Sequence, residues 1–403
     1  MTPSPAAAGF SVDRLRRIDA LLQGYVDRDE IAGMVGTIAR KGQTAYFQKF
    51  GWMDREARLP MRDDTIFMIM SMTKPITSVA LMMLYDEGAF HLNMPIATFL
   101  PEFKDTRVFV RDVDGKLELE DLKGPITFRH LFTHTAGLSY GWNPLDPIDK
   151  AYQADPVLRT FFDLGSTNRE VCAALARQPL AFQPGTRWRY SMAVDVLGGL
   201  VEVISGAPLD VFLEERLFKP LGMTDTAFHV PAEKAARVAT VYGHPAPDSA
   251  LVRRDQIKPR TAPPVTKSGG GGLASTIFDY SRFAQMLVNG GVLDGARILS
   301  PRTVALFSRN QTPAAALPYG FVERDLYHAG YGYSLGTRVL MDPAASGIDG
   351  SVGEFGWDGA FATYFWVDPV ESLYGVLLLQ HEPNAFYPIH QQFKQLTYQA
   401  LDV

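Results

Sequence analysis

Along this chain, apolar residues spaced three and four apart alternate with short stretches in which apolar and polar residues take turns. Residues 11–27, SVDRLRRIDALLQGYVD, put Leu15, Ile18, Leu21, Leu22 and Tyr25 on one side of a helix. Two strand-like runs follow, GMVGTIAR and TAYFQKFGW, with the intervening KGQ as a hairpin turn. Residues 72–85, within FMIMSMTKPITSVALMMLYDEG, form an apolar helix pattern, and Ser71 stands where its N-cap belongs. From 95 to 272 there is more proline, with loops such as RDVDGKLELEDLKG and short helices such as VDVLGGLVEVISG. Regular structure returns with the helix pattern STIFDYSRFAQMLVNGG. Strand patterns around 331–340, 354–357, 362–367 and 373–380 follow it, then a closing helix from about 387.

Strands that succeed one another without helices between them imply an antiparallel sheet with helices on its faces. The expected architecture is an α/β domain built from both chain ends, residues 1–94 and 273–403. A mainly helical domain, residues 95–272, is inserted between them. Ligand sites favour such junctions.

Composition narrows the field of partners. The chain has 403 residues, 46% hydrophobic and 21% charged, with a net charge of −5 and a pI near 5.9. That balance gives no reason to expect nucleic acid or an anionic membrane. No run approaches the roughly 18–20 apolar residues of a membrane span. The opening MTPSPAAAGFSVDRL has neither the basic nor the apolar region of a secretory signal. The single cysteine, Cys172, allows no intrachain disulfide and lies on the apolar side of a helix pattern, as a packed thiol does. A cytoplasmic protein is expected.

One residue conflicts with its helix. Lys74 stands in the first turn of 72–85, where a capping box would carry Glu or Gln and where the helix dipole is already positive. Ser71 and Lys74 share a helix face within side-chain reach. A serine hydroxyl becomes a nucleophile when a neighbour takes its proton, and a neutral lysine amine can do that. Burial among Met68, Ile69, Met70 and Ile76, with the positive helix end, would hold the amine neutral. The same N-terminus offers N–H groups to an oxyanion. The plain alternative is a capping serine beside a lysine that snorkels to water.

Two further stretches bear on chemistry. Tyr190, ahead of an apolar helix in RWRYSMAVDVLGG, can relay protons beside a lysine if that cation lowers its phenol pKa. Its alternative is a packed tyrosine anchored by one hydrogen bond. In EFGWDGAFATYF, Trp357, Asp358 and Gly359 end one strand and lead into the next. Gly359 would let the backbone approach a ligand and leave the Ala360 N–H free as an oxyanion donor; the alternative is an Asp-Gly hairpin turn. His130 and His134 have metal-compatible spacing, but Leu131 stands where a zinc protease has Glu, so no metal site is expected. SGGGGL, residues 268–273, lacks the Gly-Lys-Ser/Thr of a phosphate loop and reads as a mobile or close-packing loop near the site. Trp142, Trp188 and Trp366 read as core or pocket wall.

The order SMTK, YSM, WDG resembles the serine β-lactamase and penicillin-binding-protein superfamily. Supporting stretches are ITFRHLFTHTAGL, FQPGTRWRYS, FKPLGMTDTAF and GYGYSLGTRV. Within that superfamily the chain is most similar to the class C β-lactamase-like esterases, the family VIII carboxylesterases, over residues 33–380. The resemblance implies a β-lactamase/transpeptidase-like fold with Ser71 as nucleophile, Lys74 as its base and Tyr190 as second proton carrier. The N–H groups of Ser71 and Ala360 would form the oxyanion hole, and no cofactor or metal is required. Tyr140 falls where these esterases place a pocket tyrosine, and Trp357, Asp358, Gly359 and Met192 would also meet substrate.

Two departures separate it from true class C β-lactamases. Their Tyr-x-Asn is Tyr190-Ser191-Met192 here, and a thioether cannot replace the amide's hydrogen bonds. Their Lys-Thr-Gly is Trp357-Asp358-Gly359, an apolar wall and a negative charge in place of a cation. The expected activity is hydrolysis of small, short-acyl esters through an acyl-serine, with a small-molecule ester as substrate and neither nucleic acid nor membrane as partner. Acyl transfer to an alcohol, weak β-lactamase or D-amino-acid peptidase activity, and an inactive ligand-binding relative are the alternatives.

Overall fold

Strands from the two ends of the chain lie side by side. In the computed structural model, which describes residues 2–163, 165–246, 249–321 and 326–402, the first strands are β1 (Gly33–Arg40), β2 (Gln43–Asp54) and β3 (Leu59–Pro60). The last are β4 (Tyr331–Tyr333), β5 (Arg338–Leu340), β6 (Phe355–Asp358), β7 (Tyr364–Asp368) and β8 (Leu373–Leu379). They form one antiparallel sheet in the order β4-β5-β6-β7-β8-β1-β2-β3. The two ends join where β1 pairs with β8, Gly36 opposite Leu377. Both strands are buried throughout, as strands covered on two faces must be.

The helices that position the site are α1 (Val12–Asp27), α2 (Thr73–Asp86), α3 (Ala193–Ser205), α4 (Ile277–Val288) and α5 (Ile389–Gln399). Ser11 caps α1 by accepting the Arg14 N–H, and Leu15, Ile18, Leu22 and Tyr25 are its buried stripe. With Phe393 of α5 they cover Met34, Ile38 and Leu377 on one face of the sheet. The other face carries Val35, Phe365, Val376 and Leu378 into the main core, with Tyr280 and Phe283 of α4 and the apolar side of α2. Residues 95–272 supply α3 and several shorter helices, and their apolar side chains join this main core; α2 packs on α3.

The observed elements differ from the sequence pattern in four places. The pattern at 331–340 is two strands, because Gly336 turns the chain at φ +72° beside Ser78. The polar stretch after residue 107 is a hairpin, Val108–Val113 with Lys116–Glu120, reversed at Asp114-Gly115, which take φ +53° and +81°. Ile66–Met68 pairs with Ala274–Thr276, too short a ladder to leave a pattern, and Ile69 N–H then donates to Leu273 O at 3.0 Å. Last, Ser71 is not an N-cap. Met70–Met72 is a 3₁₀ turn leading into α2, whose N-cap is Met72 without a side-chain bond. An N-cap lies outside the helical conformation, whereas Ser71 is already inside a turn, so its hydroxyl is free of that duty.

Among the described residues no single helix is long and apolar enough to cross a membrane. One bent pair, Ala193–Ser205 with Leu209–Leu221, passes by length and composition, and most of its apolar residues lie in the core. Cys172 is a buried free thiol, as expected.

Candidate active site

The chain enters Ser71 through a strained residue. Met70 takes φ +47°, a region that side chains other than glycine rarely occupy and that clusters at functional sites. As the second residue of a helical turn, Ser71 has a backbone N–H without a partner inside the helix. Its hydroxyl oxygen accepts from the Tyr190 hydroxyl at 2.8 Å and from Lys74 Nζ at 3.1 Å.

Lys74 does not reach water: it is 0% exposed, which removes the snorkelling alternative. Its Nζ also donates to Gly270 O at 2.6 Å and lies 4.6 Å from the centre of the Tyr190 ring. Among the described residues no carboxylate comes within ion-pair distance of it. Burial pushes the amine down to about 7, against an upward pull from the more distant Asp195 and Asp358.

Tyr190 sits just before α3, held on both sides along the chain. Arg189 pairs with Asp146 at 3.1 Å and Asp149 at 2.9 Å, and Met192 N–H donates to Ser139 O at 3.2 Å. The Trp357 indole N–H donates to the Tyr190 hydroxyl at 3.3 Å. Burial raises this phenol above its usual range, offset only in part by its hydrogen bonds with Ser71 and Trp357. The expected lowering by Lys74 is therefore not found, because the burial that neutralises the amine removes the cation that would stabilise a phenolate. Tyr190 is a neutral hydroxyl donor.

The two histidines have separate tasks. His130 Nδ1 accepts the Thr127 N–H and completes a capping box. His134, wholly buried at φ +54°, packs 4.8 Å from the Tyr190 ring and contacts Ser191 Oγ through Nδ1 at 3.2 Å. Burial, with Lys74 as a smaller cause, pushes it well below its ordinary range, so it stays neutral. Sequence reasoning weighed His134 only as a metal ligand and missed this packing role.

Gly359 ends the strand–turn element that carries Trp357. A Cβ there would sit 2.5 Å from Ile69 O and collide with Thr363 Oγ1, whose hydroxyl donates to Ile69 O at 3.1 Å. Gly359 thus closely approaches the backbone of the nucleophile's turn. It brings the next residue, the exposed Ala360, alongside that turn. The negative charge expected of Asp358 is also matched: Oδ2 accepts from Arg338 at 3.0 Å and Oδ1 from Asn384 at 3.0 Å. Arg338, which sequence reasoning missed, is opposite Gly356 in the β5–β6 ladder and lies 5.1 Å over the Tyr364 ring.

Met192 is 1% exposed in the main core and offers no surface to a substrate, against expectation. Tyr140 stacks on Trp142 with ring centres 4.1 Å apart, 5.4 Å from Tyr190, and Trp142 is exposed. Trp188 is buried beside Tyr190, and Trp366 lies in the core beneath the opposite sheet face. Of the two readings of 268–273, close packing holds: Gly269 O accepts from Thr77 and Gly270 O from Lys74. Tyr190 lines a cavity of about 340 Å³ with Trp188, Phe182 and Ile148. Trp357 and Asp358 line another of about 570 Å³ with Tyr331, Arg338 and Tyr364.

This arrangement can be set beside known proteins. The sequence matches the family described as Beta-lactamase over residues 18–398. The Mycobacterium tuberculosis protein Rv1367c is 37% identical over 370 residues, 91% of this chain and 90% of its own. Esterase EstB of Burkholderia gladioli is 33% identical over 393 residues, 92% of each chain. The solved structure of EstCE1, a hydrolase with promiscuous acyltransferase activity, superposes with a TM-score of 0.78 at 24% identity, over 97% of this chain and 98% of that one. The β-lactamase/transpeptidase-like fold is the one expected. The chain belongs to the beta-lactamase family and stands within it among the esterase-like serine hydrolases.

Proposed function

We propose that the protein is a serine carboxylesterase that hydrolyses small, short-acyl esters through an acyl-enzyme on Ser71. The observation that carries this reading is the Ser71 hydroxyl held between a buried amine driven down to about 7 and a neutral phenol. Lys74 takes the Ser71 proton as Oγ attacks the ester carbonyl. The C=O electron pair moves onto oxygen, where the N–H groups of Ser71 and Ala360 receive it. As the C–O bond to the alcohol breaks, Tyr190 gives that oxygen its proton and is reprotonated from the Lys74 ammonium. Water then repeats the sequence on the acyl-serine and frees the acid.

The name of the relative EstB supports an ester substrate. Against β-lactams stand two features: the cation at the turn, Arg338, is paired with Asp358 at 3.0 Å, and Met192 is buried. The lone buried Cys172 is compatible with a cytoplasmic setting.

Mass spectrometry after brief exposure to a slowly hydrolysed short ester should find the acyl adduct on the Ser71 peptide. An adduct on another residue, or undiminished turnover in Ser71→Ala, ends the reading. Adding an alcohol to the assay separates hydrolysis from acyl transfer by product. In a side-by-side kcat/KM comparison, short esters should lead, with cephalosporins poor and penicillins poorer; a β-lactam in first place overturns the substrate class.

A further inference from the structure

We propose that Asp195 is a positioning residue for Lys74, acting through Gly270; this rests on the reading of Lys74 as the base. Asp195 is the third residue of α3 and 5% exposed. Its Oδ1 accepts from Ser268 Oγ at 2.7 Å and from the Gly270 N–H at 3.0 Å. The carbonyl of that same Gly270 accepts from Lys74 Nζ at 2.6 Å. One glycine therefore links carboxylate to amine, N–H on one side and C=O on the other.

The second oxygen makes the case. Asp195 Oδ2 is buried without a hydrogen-bond partner, and it faces Gly270, where a Cβ would come within 2.5 Å of it. A bare buried carboxylate oxygen is unfavourable, so its retention calls for a reason beyond tethering a loop. The start of α3 stabilises the carboxylate through the Asp195 backbone N–H and the helix dipole, but not through the N-cap. An acid at this position ordinarily reaches back to the N-cap N–H, but Met192 N–H is taken by Ser139 O. Burial raises the Asp195 carboxyl, and Lys74 is the largest influence that pulls it back, ahead of the bonds from Ser268 and Gly270, so carboxylate and amine are coupled through this loop.

The groups facing Lys74 are Asp195 from α3, Asp358 from β6, and His134, Tyr140, Tyr190 and Ser71. His134 is held neutral and the two phenols are raised by burial, so the two carboxylates oppose the burial that lowers the amine. Asp195 thus fixes the carbonyl on which Lys74 rests and keeps the amine basic enough to take a proton.

Asp195→Asn keeps the shape and the Oδ1 acceptor while removing the charge. With a short p-nitrophenyl ester, the acid limb of its kcat/KM profile should move to lower pH and its plateau should fall, with KM little changed. Asp195→Ala also frees Gly270, and kcat should fall by about a hundredfold, the scale of an ångström's misplacement. An unshifted acid limb in Asp195→Asn overturns the inference, and this variant decides the matter even if the alanine variant fails to fold. Lys74→Met in the same assay separates the two readings. If it retains turnover, the base assignment is wrong. If it is inactive while Asp195→Asn keeps the wild-type limb, only the role of Asp195 is wrong.

Discussion

Among the described residues two lysines are buried, one on each side of the central sheet, and they are opposites. Lys74 is 0% exposed and Lys394, on α5, is 1% exposed. Burial lowers both amines. Lys394 bonds Glu354 Oε1 at 2.7 Å and Tyr331 OH at 3.1 Å, and the carboxylate in contact reverses the effect, lifting the amine above its ordinary range. Lys74 has a hydroxyl and a carbonyl for partners and its carboxylates at a distance, so burial wins. Identity and burial leave a lysine's role open; the nearest acceptor decides it. One is a structural cation and the other is poised as a base.

The strongest way to break the contrast is to delete each amine. Lys74→Ala should lower kcat/KM by at least about a thousandfold, since units of this kind fail together. Its stability should change by no more than about 2 kcal/mol, because a buried amine and its hydrogen bonds leave together. Lys74→Arg should not restore turnover, as guanidinium stays protonated. Lys394→Ala should do the reverse. It strands Glu354 and should cost about 3–5 kcal/mol, while kcat per folded molecule stays near wild type. Urea melts run beside kcat/KM for both variants test the pair. An unstable but active Lys74→Ala would erase the distinction.

A smaller effect is expected at the turn that supports Ser71. Gly359→Ala forces a Cβ against Ile69 O and should cost about 1–3 kcal/mol by overpacking. It should also lower kcat, because Ile69 leads into the nucleophile's turn. An unchanged urea midpoint with unchanged kcat would show that the turn gives way freely.

The smallest effects are in pH dependence, and they carry opposite signs. Activity should fall as pH drops through about 7, where Lys74 takes up its proton. Unfolded Lys74 binds a proton that the folded state does not hold between about 7 and its ordinary value of 10.5. Its contribution to stability is therefore full above 10.5 and lost as pH falls toward about 7. For Lys394, raised in the folded state, the contribution is present below 10.5 and lost as pH rises through the folded value. Unfolding free energies at pH 7 and pH 9.5 should rise with pH in wild type and in Lys394→Met, since the Lys394 contribution is constant over that window, and the Lys74 share of the rise should be missing from Lys74→Met. Parallel pH dependences for the two variants would break the contrast.

Much of this was legible beforehand, for reasons that can be named. Long periodic runs such as Val12–Asp27, and strands buried on both faces, announce themselves because one chemistry repeats along many residues. Ser71, Lys74 and Tyr190 stood out because each breaks its local pattern. Ser71 was misread as a cap because a serine ahead of an apolar run looks the same whether it caps a helix or enters a 3₁₀ turn. The direction of the Tyr190 shift depends on how completely the whole site is enclosed, which no local stretch records. Arg338 with Asp358, and Asp195 with Gly270, are 20 and 75 residues apart and meet only through strand register and loop packing.

The central claim is that Lys74 is a neutral amine near physiological pH. Lysine labelled at its ε-carbon, observed by NMR across pH, tests it directly, with Lys74→Met and Lys394→Met assigning the two buried resonances. The account predicts a Lys74 midpoint at about 7, while Lys394 stays charged through the range in which the exposed lysines titrate. A Lys74 resonance that titrates with those exposed lysines, near about 10.4, would contradict it.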